Sequence, residues 1–126
     1  MQIVVNRPQI SKSQRNDQFS GKRGEFLVED WDVVKPESAK MHFLRLKGML
    51  EVPSGNSILN LKINITESDL GPLYVNPGKD GKFFIHKYGA LKKLMDILGI
   101  DSTEEFTGKL LETTNSAKGF WIIKAK

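Results

Sequence analysis

In the stretch ILNLKINIT, residues 58–66, apolar and polar side chains alternate from Leu59 to Thr66. Successive side chains of a β-strand point to opposite faces, so this alternation predicts a strand with one buried and one solvent-facing side. The stretch therefore indicates a mainly β chain. Its apolar side is predicted to hold Leu59, Leu61, Ile63 and Ile65, and its polar side Asn60, Lys62 and Asn64.

Two more strands are predicted upstream of this one. EFLVEDWDVVK, residues 25–35, is rich in β-branched and aromatic residues and ends at Pro36. Its apolar residues change parity in the middle, so we expect a β-bulge near residues 29–30. A second strand is expected over residues 41–52, closed by the turn sequence PSGN at residues 53–56.

Short apolar segments and a helix are predicted downstream. Residues 73–75 and 83–85 flank the turn-rich sequence NPGKDGK, residues 76–82, and suggest an inserted hairpin with Phe84 and Ile85 in its core. From Lys87 the apolar period becomes 3.6, which predicts a helix of about three turns with Gly99 as its C-cap. The apolar face of this helix is predicted to be Leu91, Leu94, Met95 and Leu98.

The last part of the chain contains a capping box and two predicted strands. STEE, residues 102–105, has the capping-box pattern of a short helical turn. Strands are expected over residues 109–114 and 120–125, joined by the loop NSAKG at residues 115–119. Trp31 and Trp121 are expected to be core residues, because large aromatic side chains dominate the cores of small barrels.

Three strands, a possible hairpin, a helix and two strands follow the element order of the oligonucleotide/oligosaccharide-binding (OB) fold. This fold is a five-stranded Greek-key barrel with a helix between its third and fourth strands. Other small α+β barrels have similar element counts. We predict a basic, flexible N-terminal arm over residues 1–24 and a single OB-like domain over residues 25–126.

Composition excludes several kinds of chemistry. The chain has 126 residues, no cysteine and two histidines, so disulfides, thiolate nucleophiles and cysteine-based metal sites are absent. His86 has no nucleophilic partner that the sequence nominates, and Asp30 and Asp32 supply only the minimum for a divalent cation. We therefore predict no catalytic residues, metal or cofactor, and an enzyme is the third choice, requiring a metal near those two aspartates.

The excess positive charge lies in the N-terminal arm. The chain has 19 Lys and Arg against 15 Asp and Glu, and the arm alone holds five basic residues and one acidic residue. The remaining residues are neutral overall. Such an arm either contacts a phosphate backbone or only solvates the domain. Its basic residues are Arg7, Lys12, Arg15, Lys22 and Arg23.

The solvent-facing parity of the second strand carries Phe43, Arg45 and Lys47, together with Met41 and Met49. An aromatic ring among cations suits bases that stack while lysine and arginine neutralise phosphates. The third strand adds Asn60, Lys62 and Asn64, and no carboxylate lies among these residues. The alternative is that Phe43 and the two methionines pack under the helix or the arm. His42, on the opposite parity, is expected in the core or at its rim.

Aromatic and basic residues of the predicted hairpin extend this nucleic-acid site. Tyr74 and Phe83 flank the turn, and Lys79 and Lys82 outnumber Asp80. The nucleic-acid-binding residues predicted from the sequence are Phe43, Arg45, Lys47, Asn60, Lys62, Tyr74, Lys82 and Phe83, with Arg15, Lys22 and Arg23 of the arm.

The C-terminal half, about residues 58–126, resembles the small single-stranded-DNA-binding proteins of bacteriophages. It is also similar to phage proteins placed with recombination and replication genes. The helix GALKKLMDILGID, residues 89–101, and EEFTGKL, residues 104–110, carry the likeness. The resemblance implies an OB barrel that binds single-stranded DNA, and also RNA as an option, with little sequence preference.

The sequence also supports expectations about the cellular location and the partners of the protein. No apolar run approaches the roughly 20 residues of a membrane-spanning helix, and the start of the chain lacks a signal-peptide pattern. We expect a cytoplasmic protein, in the host cytoplasm if it is viral, without membrane contact and as a possible homo-oligomer. The alternative function is a protein-interaction module, such as a phage adaptor or an inhibitor of a host protein.

Overall fold

The computed structural model describes residues 22–116 and 120–125. The predicted arm residues Arg7, Lys12 and Arg15 lie outside these ranges. The described chain contains nine strands, one α-helix and two short 3-10 helices at Lys79–Gly81 and Thr103–Phe106. The strands are β1 (Arg23–Val34), β2 (His42–Ser54), β3 (Ser57–Ile65), β4 (Glu67–Ser68), β5 (Gly71–Pro72), β6 (Tyr74–Pro77), β7 (Phe83–Phe84), β8 (Leu110–Asn115) and β9 (Trp121–Ile123); the helix is α1 (Ala90–Leu98).

The mainly β class with one α-helix is confirmed, but the described sheet is open and has more strands than the predicted five. Its strand order is β5-β4-β9-β8-β1-β2-β6-β7, and β3 pairs with β2. The additional strands come from residues 67–84. Two of them, β4 and β5, have two residues each, too few to show any periodicity in sequence. They meet in a tight turn, where the Ser68 hydroxyl donates to the Gly71 carbonyl (3.0 Å).

The three predicted strands are present as β1, β2 and β3, and they form an antiparallel meander. The pairing of β1 with β2 shifts register between Val28 and Asp30, which confirms the predicted bulge. Opposite the bulge stands Gly48, where an added Cβ would lie 1.9 Å from the Leu27 carbonyl oxygen. Only a glycine allows the two backbones to approach this closely.

Strand β1 begins two residues before the predicted start of the first strand, so Arg23 and Gly24, which fall in the predicted arm, belong to β1. They pair with Thr114 and Thr113 of β8, and the Thr113 hydroxyl donates to the Gly24 carbonyl (2.8 Å). Backbone pairing with a neighbouring strand holds these residues, although their side chains carry no apolar signal. The predicted turn over residues 53–56 is likewise shorter, since β2 runs through Ser54 and only Gly55 and Asn56 turn the chain.

The core lies between the inward faces of the sheet and α1. The inward parity of β2 is buried as predicted, at Leu44, Leu46, Leu50 and Val52. Leu91, Leu94 and Met95 bury the predicted face of α1, while Trp31, Trp121 and Ile85 are partly buried against the core. Gly99 ends the helix with a φ of 72°, as a C-cap glycine does.

The prediction that Phe84 lies in the hairpin core is wrong, because its side chain is 54% exposed. Adjacent strand residues point to opposite faces, and only one of Phe83 and Phe84 can turn inward. The short helix after α1 begins at the predicted capping box: the Glu105 carboxylate accepts from the Ser102 amide (3.0 Å). None of the helices in the described ranges has the length and hydropathy to cross a membrane.

Candidate nucleic-acid interface

The candidate interface is the outward face of β1, β2 and β3, continued by β6 and β7. Directly opposite residues of neighbouring antiparallel strands share a face. Phe43 lies opposite Val34 on one side of β2 and opposite Tyr74 on the other. Further along β2, Lys47 stands between Asp30 and Asn64. The strand register therefore places most of the predicted residues on one surface.

Aromatic side chains form one end of this face. The rings of Phe43 and Tyr74 lie 4.9 Å apart with an interplanar angle of 35°. Phe43 is half-buried and Tyr74 is 41% exposed. Phe84 pairs with Asn76, two residues beyond Tyr74, so Phe84 lies on the same face. These three rings, Phe43, Tyr74 and Phe84, are called the aromatic surface below.

Phe83 is absent from this surface, which corrects its predicted place beside Phe43. It pairs with Pro77, which shares the side of the buried Val75. Its ring packs on His42, with the ring centres 5.1 Å apart. Phe83 lines a separate groove of about 340 Å³ that also contains Trp31, Val33 and Thr103.

Two predicted cations, Arg45 and Lys47, are paired with carboxylates of β1. The Arg45 guanidinium donates through both Nε (2.9 Å) and Nη2 (2.6 Å) to the two carboxylate oxygens of Asp32. The Lys47 ammonium lies 3.5 Å from Asp32 and 3.8 Å from Asp30. The expectation of a face rich in unpaired cations is therefore wrong at these positions.

The bulge causes this pairing. Before it, Phe26 and Val28 are buried; after it, Trp31 and Val33 face the core and Asp30 and Asp32 turn outward. The hydrogen bonds from Arg45 lower the pKa of the Asp32 carboxyl, and the same bonds raise the pKa of Arg45. The four side chains Asp30, Asp32, Arg45 and Lys47 are called the ion-pair cluster below, and their charges sum to zero.

Lys62 and Asn60 remain exposed on β3, as predicted. Lys62 stands opposite Met49 and forms no ion pair with any described residue. It lines a groove of about 430 Å³ together with Lys47, Asn64 and Glu29. Asn60 lies opposite Glu51, one step farther along the strand pair. Lys62 is thus the cation of the β2–β3 face that is available to a phosphate.

The turn between β6 and β7 adds two exposed cations. Lys79 begins a 3-10 turn that is closed by the Lys82 amide, which donates to the Lys79 carbonyl (3.3 Å), and the Gly78 amide donates to the Lys82 carbonyl (2.6 Å). Asp80, inside the turn, has a φ of 61°, and it is the one non-glycine with a positive φ in the described ranges. The predicted residue Lys82 therefore lies on the same hairpin as Tyr74 and Phe84.

Three exposed residues near this hairpin were not predicted. Besides Phe84, they are Tyr88, which is 71% exposed, and Lys87, whose ammonium lies 5.0 Å from the centre of the Tyr88 ring. The strand parity of FF at residues 83–84 is a signal that could have found Phe84. Tyr88 lies in an irregular segment before α1, where no periodicity marks which side chains are exposed.

The arm residues predicted for the site lie elsewhere or outside the described ranges. Arg15 is outside them. Arg23 is eleven residues before Val34 on β1, which at about 3.3 Å per residue places it roughly 35 Å from Phe43. It borders a groove with Glu25, Glu51 and Glu112. Lys22 contacts β8 through its backbone carbonyl, which accepts from the Asn115 amide (2.9 Å).

Neither the described residues nor the comparisons with known proteins point to a metal site or a known family. Within residues 22–116 and 120–125, no three His, Asp or Glu side chains are grouped to hold a metal ion. Comparison with known proteins gives no significant match to a protein-family model, a curated protein or a solved structure. The candidate interface is thus an exposed aromatic surface with Lys79 and Lys82 on its hairpin, an electrically neutral ion-pair cluster beside it, and Lys62 beyond that cluster, opposite Met49.

Proposed function

We propose that this chain binds single-stranded nucleic acid, without catalysis and with little sequence preference. The observation that supports the proposal is the aromatic surface, in which Phe43 and Tyr74 pack ring to ring and Phe84 follows on the same face. Bases of any sequence stack on such rings, because every base has a π-face. Lys79 and Lys82, on the same hairpin as Tyr74 and Phe84, and Lys62, farther along the β2–β3 pair, are available to meet the phosphates.

The proposed architecture is an OB-type barrel. Strand β3 ends at Ile65 and β4 begins at Glu67, so the two are one nearly continuous segment. β4 pairs in parallel with β9 through Ser68 and Ile123, β9 pairs with β8, and β8 pairs with β1. The described sheet is open, with no pairing between β3 and β4. Chain continuity from β3 to β4 nevertheless links the ends of the path β1–β2–β3/β4–β9–β8, and this supports the proposal of a barrel. In chain order, α1 follows β3/β4 and the short strands β5–β7 and precedes β8, which matches the place of the helix between the third and fourth strands of an OB fold.

The mechanism is stacking with a limited electrostatic contribution. Because the ion-pair cluster is neutral, few cations on this face are available to release counterions from the strand. Binding therefore depends mainly on contact between bases and rings. Unpaired bases supply such contact, whereas bases inside a duplex are already stacked on one another.

The biological setting proposed for this activity is replication or recombination of DNA. Single-stranded DNA is the favoured partner and RNA the second, and assembly of several copies along one strand would increase avidity. A cytoplasmic location, in the host if the chain is viral, is part of the same proposal.

Stacking is tested by removing one exposed ring at a time. We expect Tyr74→Ala and Phe84→Ala each to weaken binding of a fluorescein-labelled dT oligonucleotide by about 1–3 kcal/mol, measured by fluorescence anisotropy. Ile97→Ala is the matched control, because Ile97 is similarly exposed (53%) but lies on α1. Equal affinities for all four proteins would contradict the proposed site.

The ion-pair cluster also favours a second candidate, a protein-interaction module. A neutral face with exposed aromatic rings is typical of protein interfaces, in which aromatic residues are enriched. This candidate predicts no oligonucleotide binding even at about 50 mM salt, a concentration at which electrostatic binding is strong. It also predicts loss of a defined protein complex, assayed by size-exclusion chromatography, on Phe84→Ala.

A further inference from the structure

Asp32 accepts hydrogen bonds from two donors of the Arg45 guanidinium, one on Nε and one on Nη2. The two hydrogen bonds, 2.9 and 2.6 Å long, form the bidentate geometry in which arginine also binds a phosphate group. A carboxylate in this position neutralises the guanidinium charge and occupies one of the donor edges that a phosphate of a bound strand would use.

Lys47 is also paired with carboxylates of β1, at longer distances than Arg45. Its ammonium lies within 4 Å of carboxylate oxygens from both Asp30 and Asp32. These carboxylates come from β1, whereas the cations come from β2, so the register after the bulge produces the pairing. Both aspartates remain partly exposed, and the pairs lie at the surface beside the aromatic surface.

We propose that Asp30 and Asp32 are specificity-determining residues, which hold Arg45 and Lys47 away from phosphates so that a nucleic acid must be bound by its bases. The proposal rests on the proposed function. Duplex DNA has a higher charge density than a single strand and offers no unstacked bases. A face whose cations are already paired therefore discriminates against duplex, and a face with free cations attracts both forms.

The expected change in the preference for single strands over duplex follows from counterion release. Each freed cation adds a slope of about 0.7 for single strands and about 0.9 for duplex DNA in a plot of log affinity against log salt. At about 50 mM salt, relative to 1 M, these slopes correspond to about eightfold and about 15-fold tighter binding. Freeing one cation thus lowers the preference for single strands about twofold, and freeing two lowers it about threefold.

The test compares wild type with Asp32→Asn and Asp30→Asn/Asp32→Asn, using labelled dT and duplex oligonucleotides of equal length. The matched control is Asp96→Asn, because Asp96 also pairs with a lysine, Lys92 at 2.7 Å, but lies on α1. We expect both test variants to bind both oligonucleotides more tightly, with the larger gain on duplex, and the control to match wild type.

A double-mutant cycle identifies the freed cation. Arg45→Ala is expected to remove most of the gain when it is added to Asp32→Asn, and on its own to weaken binding of both oligonucleotides slightly, because the cluster then has a net negative charge. Urea denaturation of each variant shows that folding is retained.

Two results would overturn the inference in distinguishable ways. If wild type binds single strands and Asp32→Asn leaves both affinities and the salt slope unchanged, the specificity role is wrong and the proposed function stands. If neither wild type nor the double Asp variant binds either oligonucleotide, both proposals fail together.

Discussion

At the scale of single residues, the pairing of Asp32 with Arg45 has a consequence for stability. The hydrogen bonds from Arg45 lower the pKa of Asp32 in the folded protein below its ordinary value of about 3.9. A carboxyl with a lowered folded-state pKa stabilises the fold above its unfolded pKa, and this stabilisation is lost as the pH falls through the folded pKa.

We therefore expect the free energy of unfolding of wild type to fall between about pH 5 and pH 2, with Asp32 contributing part of the loss. In Asp32→Asn that part is missing, so its pH dependence is shallower. Urea denaturation at a series of pH values measures the difference. Glu104→Gln is the control, since Glu104 is exposed and forms no ion pair with a described residue. The same slope in wild type and Asp32→Asn would contradict the assignment.

The pairing of Arg45 and Lys47 with residues of β1 could not be predicted from the sequence of β2. Parity predicted that Phe43, Arg45 and Lys47 face outward, and the structure agrees. The carboxylates that pair with the cations come from β1, and a strand read alone does not reveal which residues of its neighbour lie opposite. The predicted bulge implied that Asp30 and Asp32 turn outward, but only the register places them beside Arg45 and Lys47.

At the scale of elements, the close approach of β1 and β2 at the bulge depends on Gly48. An added methyl group would meet the Leu27 backbone carbonyl, which cannot rotate away as a side chain can. The two central strands would have to separate at the point where Asp30 and Asp32 turn outward.

We expect Gly48→Ala to destabilise the fold by about 1–3 kcal/mol or more, because overpacking forces the backbone to shift. Chemical denaturation measures the loss. Gly89→Ala is the milder control, because Gly89 has a φ of −80° and its added Cβ would be 3.3 Å from the nearest described atom. Wild-type stability in Gly48→Ala would show that the strands tolerate a wider spacing.

Long elements could be predicted from sequence and very short ones could not. The three long strands and α1 carry enough residues for a period of 2 or 3.6 to appear, and no predicted end of these elements is wrong by more than three residues. Strands β4, β5 and β7 have two residues each. Backbone pairing defines them, and their side chains carry no pattern.

At the scale of the whole molecule, the proposed OB-type path depends on a single parallel pairing between Ser68 and Ile123. Two further bonds support it: the Asp69 amide donates to the Ile123 carbonyl (2.9 Å), and the Ala125 amide donates to the Asp69 carboxylate (3.0 Å). This non-local contact joins segments more than fifty residues apart. The order of the elements along the sequence suggested a barrel, but no local sequence pattern specifies the pairing of Ser68 with Ile123.

The distribution of charge over the surface of the molecule depends on the fold. The residues after the predicted arm are neutral overall, and the structure separates their charges into distinct regions. Glu25 lies between Glu51 and Glu112 on one part of the outward face, about two residues from Leu27. Lys79 and Lys82 lie on the hairpin at the other end of β2. A strand bound on this face is therefore expected to follow the aromatic surface and avoid the glutamates.

The most direct test of this account is a two-dimensional NMR titration of the ¹⁵N-labelled chain with a dT oligonucleotide. We predict that the amide signals of Phe43, Tyr74, Phe84 and Lys62 shift most, while those of α1 and of Glu25, Glu51 and Glu112 stay in place. No shifts under low-salt conditions, or shifts centred on α1 or the glutamates, would contradict the claim that the aromatic surface binds single-stranded nucleic acid.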